Sequence, residues 1–279
     1  MTNDDFSTML EVMVAASREA GARIMEVYRR DFAAETKADG SPLTEADMAA
    51  HRCILSRLNE AFPDVPVLSE ESKGIAYEER RAWRRFFLVD PLDGTKEFVK
   101  RNNEFTVNIA LIEDGVPVLG AVYAPVPDVA WWGGPDGSRR QDGDAAPRVL
   151  AAATPESLDG LRVVGSRSHR SDAVKTLLES LPRHDLIAMG SSLKICAVAD
   201  GGADFYPRLG PTSEWDTAAA HAVVHHAGGE VVGLDGAPLV YNKENILNPF
   251  FLVLGGEGPL RAELLRLSRA AAERAAKDA

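Results

Sequence analysis

Two apolar runs, residues 105–113 and 116–124, flank an Asp114-Gly115 pair, and no other feature restricts the fold of this chain as much. A two-residue Asp-Gly loop suits the tight turn whose twist matches the strands it joins, so the runs read as one antiparallel β-hairpin. Residues 129–132 (Val-Ala-Trp-Trp) continue the same sheet. Residues 65–70 and 86–90 read as strands before it. The stretch 133–148, rich in Gly, Asp, Pro and Arg, reads as an exposed loop or a short hairpin tip.

Helices bracket this sheet region. Phe6, Met9, Leu10, Met13, Ala16, Ala20, Ile24, Val27 and Tyr28 recur at helical spacing over 6–30. A second helix over 43–62 opens on a capping box of Thr44 and Asp47, with Leu43 and Met48 as its hydrophobic staple. From about residue 160 the pattern changes to alternation: a strand at 161–164, a helix at 171–181 ended by Pro182, and a helix at 191–199 stopped by Gly201-Gly202. A helix at 213–227 closes on Gly228-Gly229, followed by strands at 231–232 and 250–254 and a terminal helix at 258–277. An α/β protein of layered α+β type is expected, in two packed subdomains. Residues 1–150 would form an α+β subdomain with an antiparallel sheet that carries the metal chemistry. Residues 151–279 would form an α/β subdomain that completes the metal and substrate site, with a seam near 147–160.

The formal charge of the 279-residue chain is −11, which argues against a nucleic-acid polymer as partner. An acidic enzyme acting on an anion needs a local answer, namely metal ions or a few placed Lys and Arg. Cys53 and Cys196 lie in apolar helical contexts without metal spacing and read as buried free thiols of a reducing compartment. The N-terminus lacks a signal pattern and no apolar run approaches the roughly 20 residues of a membrane span, so a cytoplasmic protein is expected, with peripheral membrane association left open. His221, His225 and His226 share one helix at metal-like spacing but have no acids near them, and read as helix surface or subunit contact.

Carboxylates gather at element ends. Phe86-Phe87-Leu88-Val89 runs directly into Asp90-Pro91-Leu92-Asp93-Gly94-Thr95, Glu70 and Glu71 end the preceding strand, and Asp47 and Asp216 open helices. Each has a plain structural reading: Asp47 and Asp216 as the third residue of capping boxes begun by Thr44 and Ser213, Glu71 as a solvated acid. If they converge, mutual repulsion forces some to protonate unless divalent cations intervene. Oxygen donors without His or Cys favour Mg²⁺. Two or more such ions can polarise a phosphate ester, generate hydroxide and stabilise a leaving oxygen.

Leu43-Thr44-Glu45-Ala46-Asp47, Glu70-Glu71-Ser72, Asp90-Pro91-Leu92-Asp93-Gly94-Thr95 and Trp215-Asp216, in this order, make the chain resemble the inositol monophosphatase family of Mg²⁺-dependent, lithium-sensitive phosphatases over about residues 8–255. The resemblance implies a fold of alternating helix and sheet layers. It also implies Glu70, Asp90 and the Leu92 carbonyl as ligands of one Mg²⁺, and Asp90, Asp93 and Asp216 as ligands of a second. A third, weaker ion would lean on Glu70 and water. Asp47 and Thr95 would orient and deprotonate the attacking water, with Glu70 assisting, while the amides of Gly94 and Thr95 hold the phosphate. The implied reaction is in-line displacement without a covalent enzyme intermediate.

Ser166-Arg167-Ser168-His169, Gly190-Ser191-Ser192-Leu193-Lys194 and Tyr206-Pro207-Arg208-Leu209-Gly210-Pro211-Thr212 resemble the 3'(2'),5'-bisphosphate nucleotidase branch. That branch takes the 3'-phosphate from adenosine 3',5'-bisphosphate, and from its 5'-phosphosulfate analogue, in sulfur assimilation. Ser166, His169, Gly190, Ser191, Lys194 and Arg208 are the implied substrate contacts. Sugar-specific members place an acid where this chain has Arg208, and a cation there, with Lys194, suits a second phosphate. The plain readings are a solvated helix lysine, a rim ion pair and a surface histidine. An inositol-1-monophosphatase or other sugar phosphatase shares the metal ligands, and a phosphometabolite-binding sensor is the non-enzyme alternative. Monomer and homodimer are both compatible with the sequence.

Overall fold

The computed structural model describes residues 3–30, 34–36, 42–72, 75–166 and 171–277. Helix α1 (Asn3–Tyr28) precedes a short antiparallel pair, β1 (Ala34–Thr36) and β2 (Pro42–Thr44), and then α2 (Glu45–Ala61). Strand β3 (Val67–Ser69) leads through α3 (Tyr77–Arg80) to β4 (Arg85–Asp93) and α4 (Thr95–Val99). The expected hairpin follows as β5 (Thr106–Glu113) and β6 (Val116–Ala124), turning at Asp114 and Gly115. Then come β7 (Val129–Gly134), β8 (Gly137–Asp142) and β9 (Arg148–Val149). Strands β3 to β9 pair in chain order in one seven-stranded sheet, parallel between β3 and β4 and antiparallel thereafter.

The later chain supplies β10 (Leu161–Gly165), α5 (Asp172–Ser180), β11 (His184–Ala188), α6 (Leu193–Ala199), β12 (Phe205–Arg208), α7 (Ala218–His226), β13 (Glu230–Gly233), β14 (Phe251–Leu254) and α8 (Arg261–Lys277). Its five strands form a mixed sheet in the order β11-β10-β12-β14-β13.

Strand alternation sorts the side chains into layers. Phe87, Val89, Val107, Ile109 and Leu111 pack on Met9, Met13 and Ile24 of α1 and Ile54 and Leu58 of α2. Their neighbours Phe86, Leu88, Ala110 and Ile112 point the other way, onto Ile195 and Val198 of α6, Ala219 and Val223 of α7, and Tyr206 and Val253 of the second sheet. The outer face of that sheet, with Leu161, Val163, Phe205 and Leu252, buries Leu177 of α5 and Leu264 and Leu265 of α8. Helix, sheet, helix, sheet and helix therefore stack in turn, and each fully buried aromatic such as Phe86 adds about 2–3 kcal/mol of apolar burial.

The middle layer is thin because α7 is built of small residues and meets glycines. A Cβ on Gly120 would stand 2.0 Å from the Ala219 carbonyl oxygen, and one on Gly133 would stand 2.8 Å from the Val223 Cα. Close approach here brings the start of α7, and Asp216 in the turn just before it, toward the end of β4.

Several expectations are corrected. The stretch 133–148, read as an exposed loop or short hairpin tip, does hold a hairpin tip between Gly134 and Gly137, but it also contributes β8 and β9 to the sheet, with Arg140 stacked on Trp131. The helix expected from 213 begins at Ala218, because 213–217 form tight turns. Strands β11 and β12 carried no clear signal: β11 lacks alternation and β12 is four residues with Pro207 inside. His221 and His226 are not helix surface. His221 is buried with Nδ1 2.9 Å from the Tyr241 hydroxyl, and burial pushes its pKa down to about 3. His226 is half-buried with Nε2 3.0 Å from the Val118 carbonyl, and only His225 is exposed. Cys196 is buried and Cys53 half-buried, both as free thiols. Among the described residues no helix is long and apolar enough to cross a membrane.

Candidate active site

The end of β4 is where regular pairing stops. Asp90 still opposes Asn108, but the register slips before Asp93 opposes Thr106. A bulge of this kind re-aims side chains at a sheet edge. Asp90 has the parity of Phe86 and Leu88, so its carboxylate faces the middle layer, and its Oδ1 accepts from the Leu92 amide at 3.0 Å. Gly94 then takes φ +91°, a left-handed conformation that favours glycine, and turns the chain into α4. A Cβ there would also press on the Glu104 carbonyl at 3.1 Å.

Asp93 is held by the second half of the chain. Its Oδ2 accepts from the Ser191 hydroxyl at 2.5 Å and from the Ser192 amide at 2.6 Å, with the Asn108 amide at 3.5 Å. Ser192 Oγ donates to Asn108 Oδ1 at 2.9 Å, and Thr106 Oγ1 lies 2.8 Å from Ser192 Oγ. Asp216 is fixed by its own turn, where Oδ2 accepts from the Ser213 amide at 2.9 Å. That bond is half of the predicted capping box, set ahead of the helix instead of within it. Glu214 is fully buried and clasps the loop after β13, accepting from the Asn242 and Lys243 amides and from Lys243 Nζ.

Asp90, Asp93 and Asp216 each present a carboxylate oxygen within 4.8 Å of the others. They share a cavity of about 480 Å³ with Glu70, Leu92, Gly94 and Thr95. Burial, then Glu70, Asp93, Asp216 and Asp47, push the Asp90 carboxyl well above the usual carboxylate range. Burial and then Asp93 raise Asp216 to about 7, against the pull of the Ser213 amide. Such crowding of acids is unfavourable for the protein alone and favourable around a divalent cation. An all-oxygen donor set with the Leu92 carbonyl beside it fits Mg²⁺. Asp47 is fully buried in the first turn of α2 and acts on Asp90, while the Thr44 side chain lies outside the described residues. The Thr95 hydroxyl donates to the Leu92 carbonyl at 3.3 Å. Glu71 is half-buried, not a freely solvated acid.

Two further hollows continue the cleft. One of about 150 Å³ is lined by Ser166, Gly190, Ser191, Lys194 and Arg208 together with Asp93 and Asp216. The next, about 570 Å³, is walled by Ser166, Val174, Tyr206, Arg208 and Leu209. Lys194 is no solvated helix lysine: it is 7% exposed, and its Nζ donates to the Ser191 carbonyl at 2.5 Å and stands 5.8 Å from the Tyr206 ring centre. Burial lowers its pKa to about 8, with Asp93 opposing and Arg208 adding to the fall. Arg208 is no rim ion pair either; Nη2 donates to the Pro211 carbonyl at 2.7 Å, and Nε is buried with no hydrogen-bond partner. His169 lies outside the described residues.

Of the groups that hold Asp93, Ser191 stood out in the sequence only as a substrate contact, and Ser192 and Asn108, with Thr106 behind them, look like ordinary polar positions until the fold unites them. Lys96, which borders all three hollows, was also missed, although its place next to Thr95 was a signal. Glu214 precedes Trp215-Asp216, but nothing local tells a buried acid from an exposed one.

The sequence matches the profile of the inositol monophosphatase family over residues 5–264. It is 48% identical over 248 residues to the 3'(2'),5'-bisphosphate nucleotidase CysQ of Salmonella typhimurium, covering 88% of this chain and 99% of the relative. The Escherichia coli protein of the same name is 47% identical with the same coverage. Among solved structures, CysQ from Bacteroides thetaiotaomicron is similar with a TM-score of 0.80 and 40% identity, covering 90% of this chain and 99% of that one. The extragenic suppressor protein suhB from Bartonella henselae has a TM-score of 0.77 at 25% identity, covering 94% of this chain and 98% of that one.

Proposed function

The chain belongs to the inositol monophosphatase family, and from that premise we propose that it is a Mg²⁺-dependent 3'(2'),5'-bisphosphate nucleotidase. It would release the 3'-phosphate of adenosine 3',5'-bisphosphate, and of the 5'-phosphosulfate analogue, in sulfur metabolism. The observation that carries the reading is the polarity of one continuous cleft: Asp90, Asp93 and Asp216 gather at one end, and Lys194 and Arg208 line the part that adjoins it. A phosphate ester with a second phosphate matches both ends. The near full-length identity to the CysQ proteins supports the same choice.

Glu70, Asp90, the Leu92 carbonyl, Asp93 and Asp216 would hold two Mg²⁺, with a third leaning on Glu70. When bound, the ions supply the positive charge that lets these acids stay ionised and that polarises the phosphoryl oxygens. The chain's own groups do the rest. Asp47 and Thr95 orient the attacking water and take its proton, with Glu70 beside them. The Gly94 and Thr95 amides, at the opening of α4, fix the phosphoryl group in line. Ser191 acts through Asp93, to which its hydroxyl is bonded, as well as by lining the substrate hollow. Ser166, Gly190, Lys194 and Arg208 orient the nucleotide, and His169, outside the described residues, is a further contact that the resemblance implies. A cytoplasmic monomer or homodimer completes the reading.

Phosphate release measured side by side from adenosine 3',5'-bisphosphate, adenosine 3'-monophosphate and inositol 1-phosphate tests it. The bisphosphate is expected to show the highest kcat/KM; a higher value for inositol 1-phosphate overturns the assignment. Activity is further expected to require Mg²⁺ and to fall with Li⁺ in competition with it.

A further inference from the structure

Lys96 is the cation that the cleft leaves uncommitted. It follows Thr95 in α4 and borders the acidic cavity, the Ser191–Lys194 hollow and the Arg208 hollow alike. Arg208 borders only the last two, and Lys194 only the middle one. Lys194 is buried with its ammonium on the Ser191 carbonyl, and Arg208 has Nη2 on the Pro211 carbonyl. Among the described residues Lys96 makes no side-chain hydrogen bond and no ion pair, and it is exposed. A lysine so placed keeps a flexible stem and a fully hydrated ammonium, which it can bring to an anion entering beside it.

Resting on the nucleotidase reading, we propose that Lys96 is the specificity-determining residue for the second phosphate: it binds the phosphate that does not react and so separates nucleoside bisphosphates from monophosphates. The reacting phosphoryl group must lie among Asp90, Asp93 and Asp216, so the second phosphate of the same ribose lies across the junction that Lys96 borders. Lys194 and Arg208 set a fixed positive wall behind it. Lys96 closes on it from the α4 side, where an unpaired charge costs nothing while the cleft is open. Ordering that long side chain carries an entropy cost, which is recovered only when a second phosphate is present.

The test is the ratio of kcat/KM for adenosine 3',5'-bisphosphate to that for adenosine 3'-monophosphate in wild type, Lys96→Met and Lys96→Arg. Lys96→Met is expected to lower the ratio about tenfold or more, the size of one charge-assisted phosphate contact, with the loss in KM for the bisphosphate. Lys96→Arg is expected to restore most of it. A Lys96→Met ratio equal to that of wild type overturns the proposal and leaves the nucleotidase reading standing. So does an equal loss on both substrates, which would place Lys96 in the phosphoryl-transfer step or in folding. A wild-type enzyme indifferent to the second phosphate overturns both at once, and that outcome is visible before any variant is made.

Discussion

Replacing Asp93 by Asn separates a metal ligand from a structural hydrogen-bond acceptor, because the two roles predict opposite changes in stability. Three carboxylates lie within 4.8 Å of one another, and at an effective dielectric near 20 each ionised pair repels by about 3.5 kcal/mol or more. The raised pKa values of Asp90 and Asp216 mean that part of this repulsion is already relieved by protonation. The Asp93→Asn change would remove the repulsion that remains through this position. It would also weaken the bonds from the Ser191 hydroxyl and the Ser192 amide, by about 1 kcal/mol each, although an amide oxygen still accepts them. The balance leaves metal-free Asp93→Asn as stable as wild type or slightly more so. Mg²⁺ has the opposite effect on the pair. At a hundred times its Kd an ion stabilises the wild type by about 2.7 kcal/mol, or about 5 °C in Tm for a chain of this length, and Asp93→Asn is expected to lose most of that rise. Its kcat is expected to fall by about a thousandfold or more. Thermal melts with EDTA and with Mg²⁺, together with phosphate release, measure all three quantities. A metal-free variant that melts well below wild type, or one that keeps the Mg²⁺ shift, refutes the reasoning.

Further outcomes follow from the same contacts. Asp216 titrates near 7 in the fold against 3.8 as a free side chain, so the metal-free folded state binds the extra proton. Stability in EDTA is therefore expected to decline as pH rises from about 4 through 7, and Asp216→Asn to flatten that decline; a wild-type Tm that climbs over this window contradicts it. Gly120→Ala forces a methyl against the Ala219 carbonyl and is expected to cost about 3 kcal/mol or more, whereas Gly210→Ala, with nothing within 4 Å, should leave urea unfolding nearly unchanged. Glu214→Ala strips an acceptor from two backbone amides and Lys243, and is expected to cost about 3 kcal/mol and to speed amide exchange in residues 240–248. Exchange unaltered in that loop would show that Glu214 does not hold it.

Much of the layered fold could be read locally. The β5–β6 hairpin, α1, α2 and α8 declared themselves because a tight turn or the period of an element's own apolar residues reports its conformation, whatever it packs on. Strand β12 did not, since its place between β10 and β14 depends on partners more than 40 residues away on each side. The start of α7 was misplaced for a related reason. The turns at 213–217 are stabilised by Asn248 and Ile246 from a later loop, which no helix-start rule contains.

The sequence by itself determined which groups were candidates for the chemistry: acids at the ends of β3, β4 and the turn before α7, and cations at 194 and 208. Only the tertiary structure decided that Asp90, Asp93 and Asp216 share one small volume, that Ser191 and Ser192 hold Asp93 from across the chain, and that the Lys194 ammonium is already engaged. The physical reason is range. Turn and strand signals act between near neighbours, whereas ionisation and hydrogen-bond commitment are set by burial and by whichever groups the packed layers bring within a few ångströms.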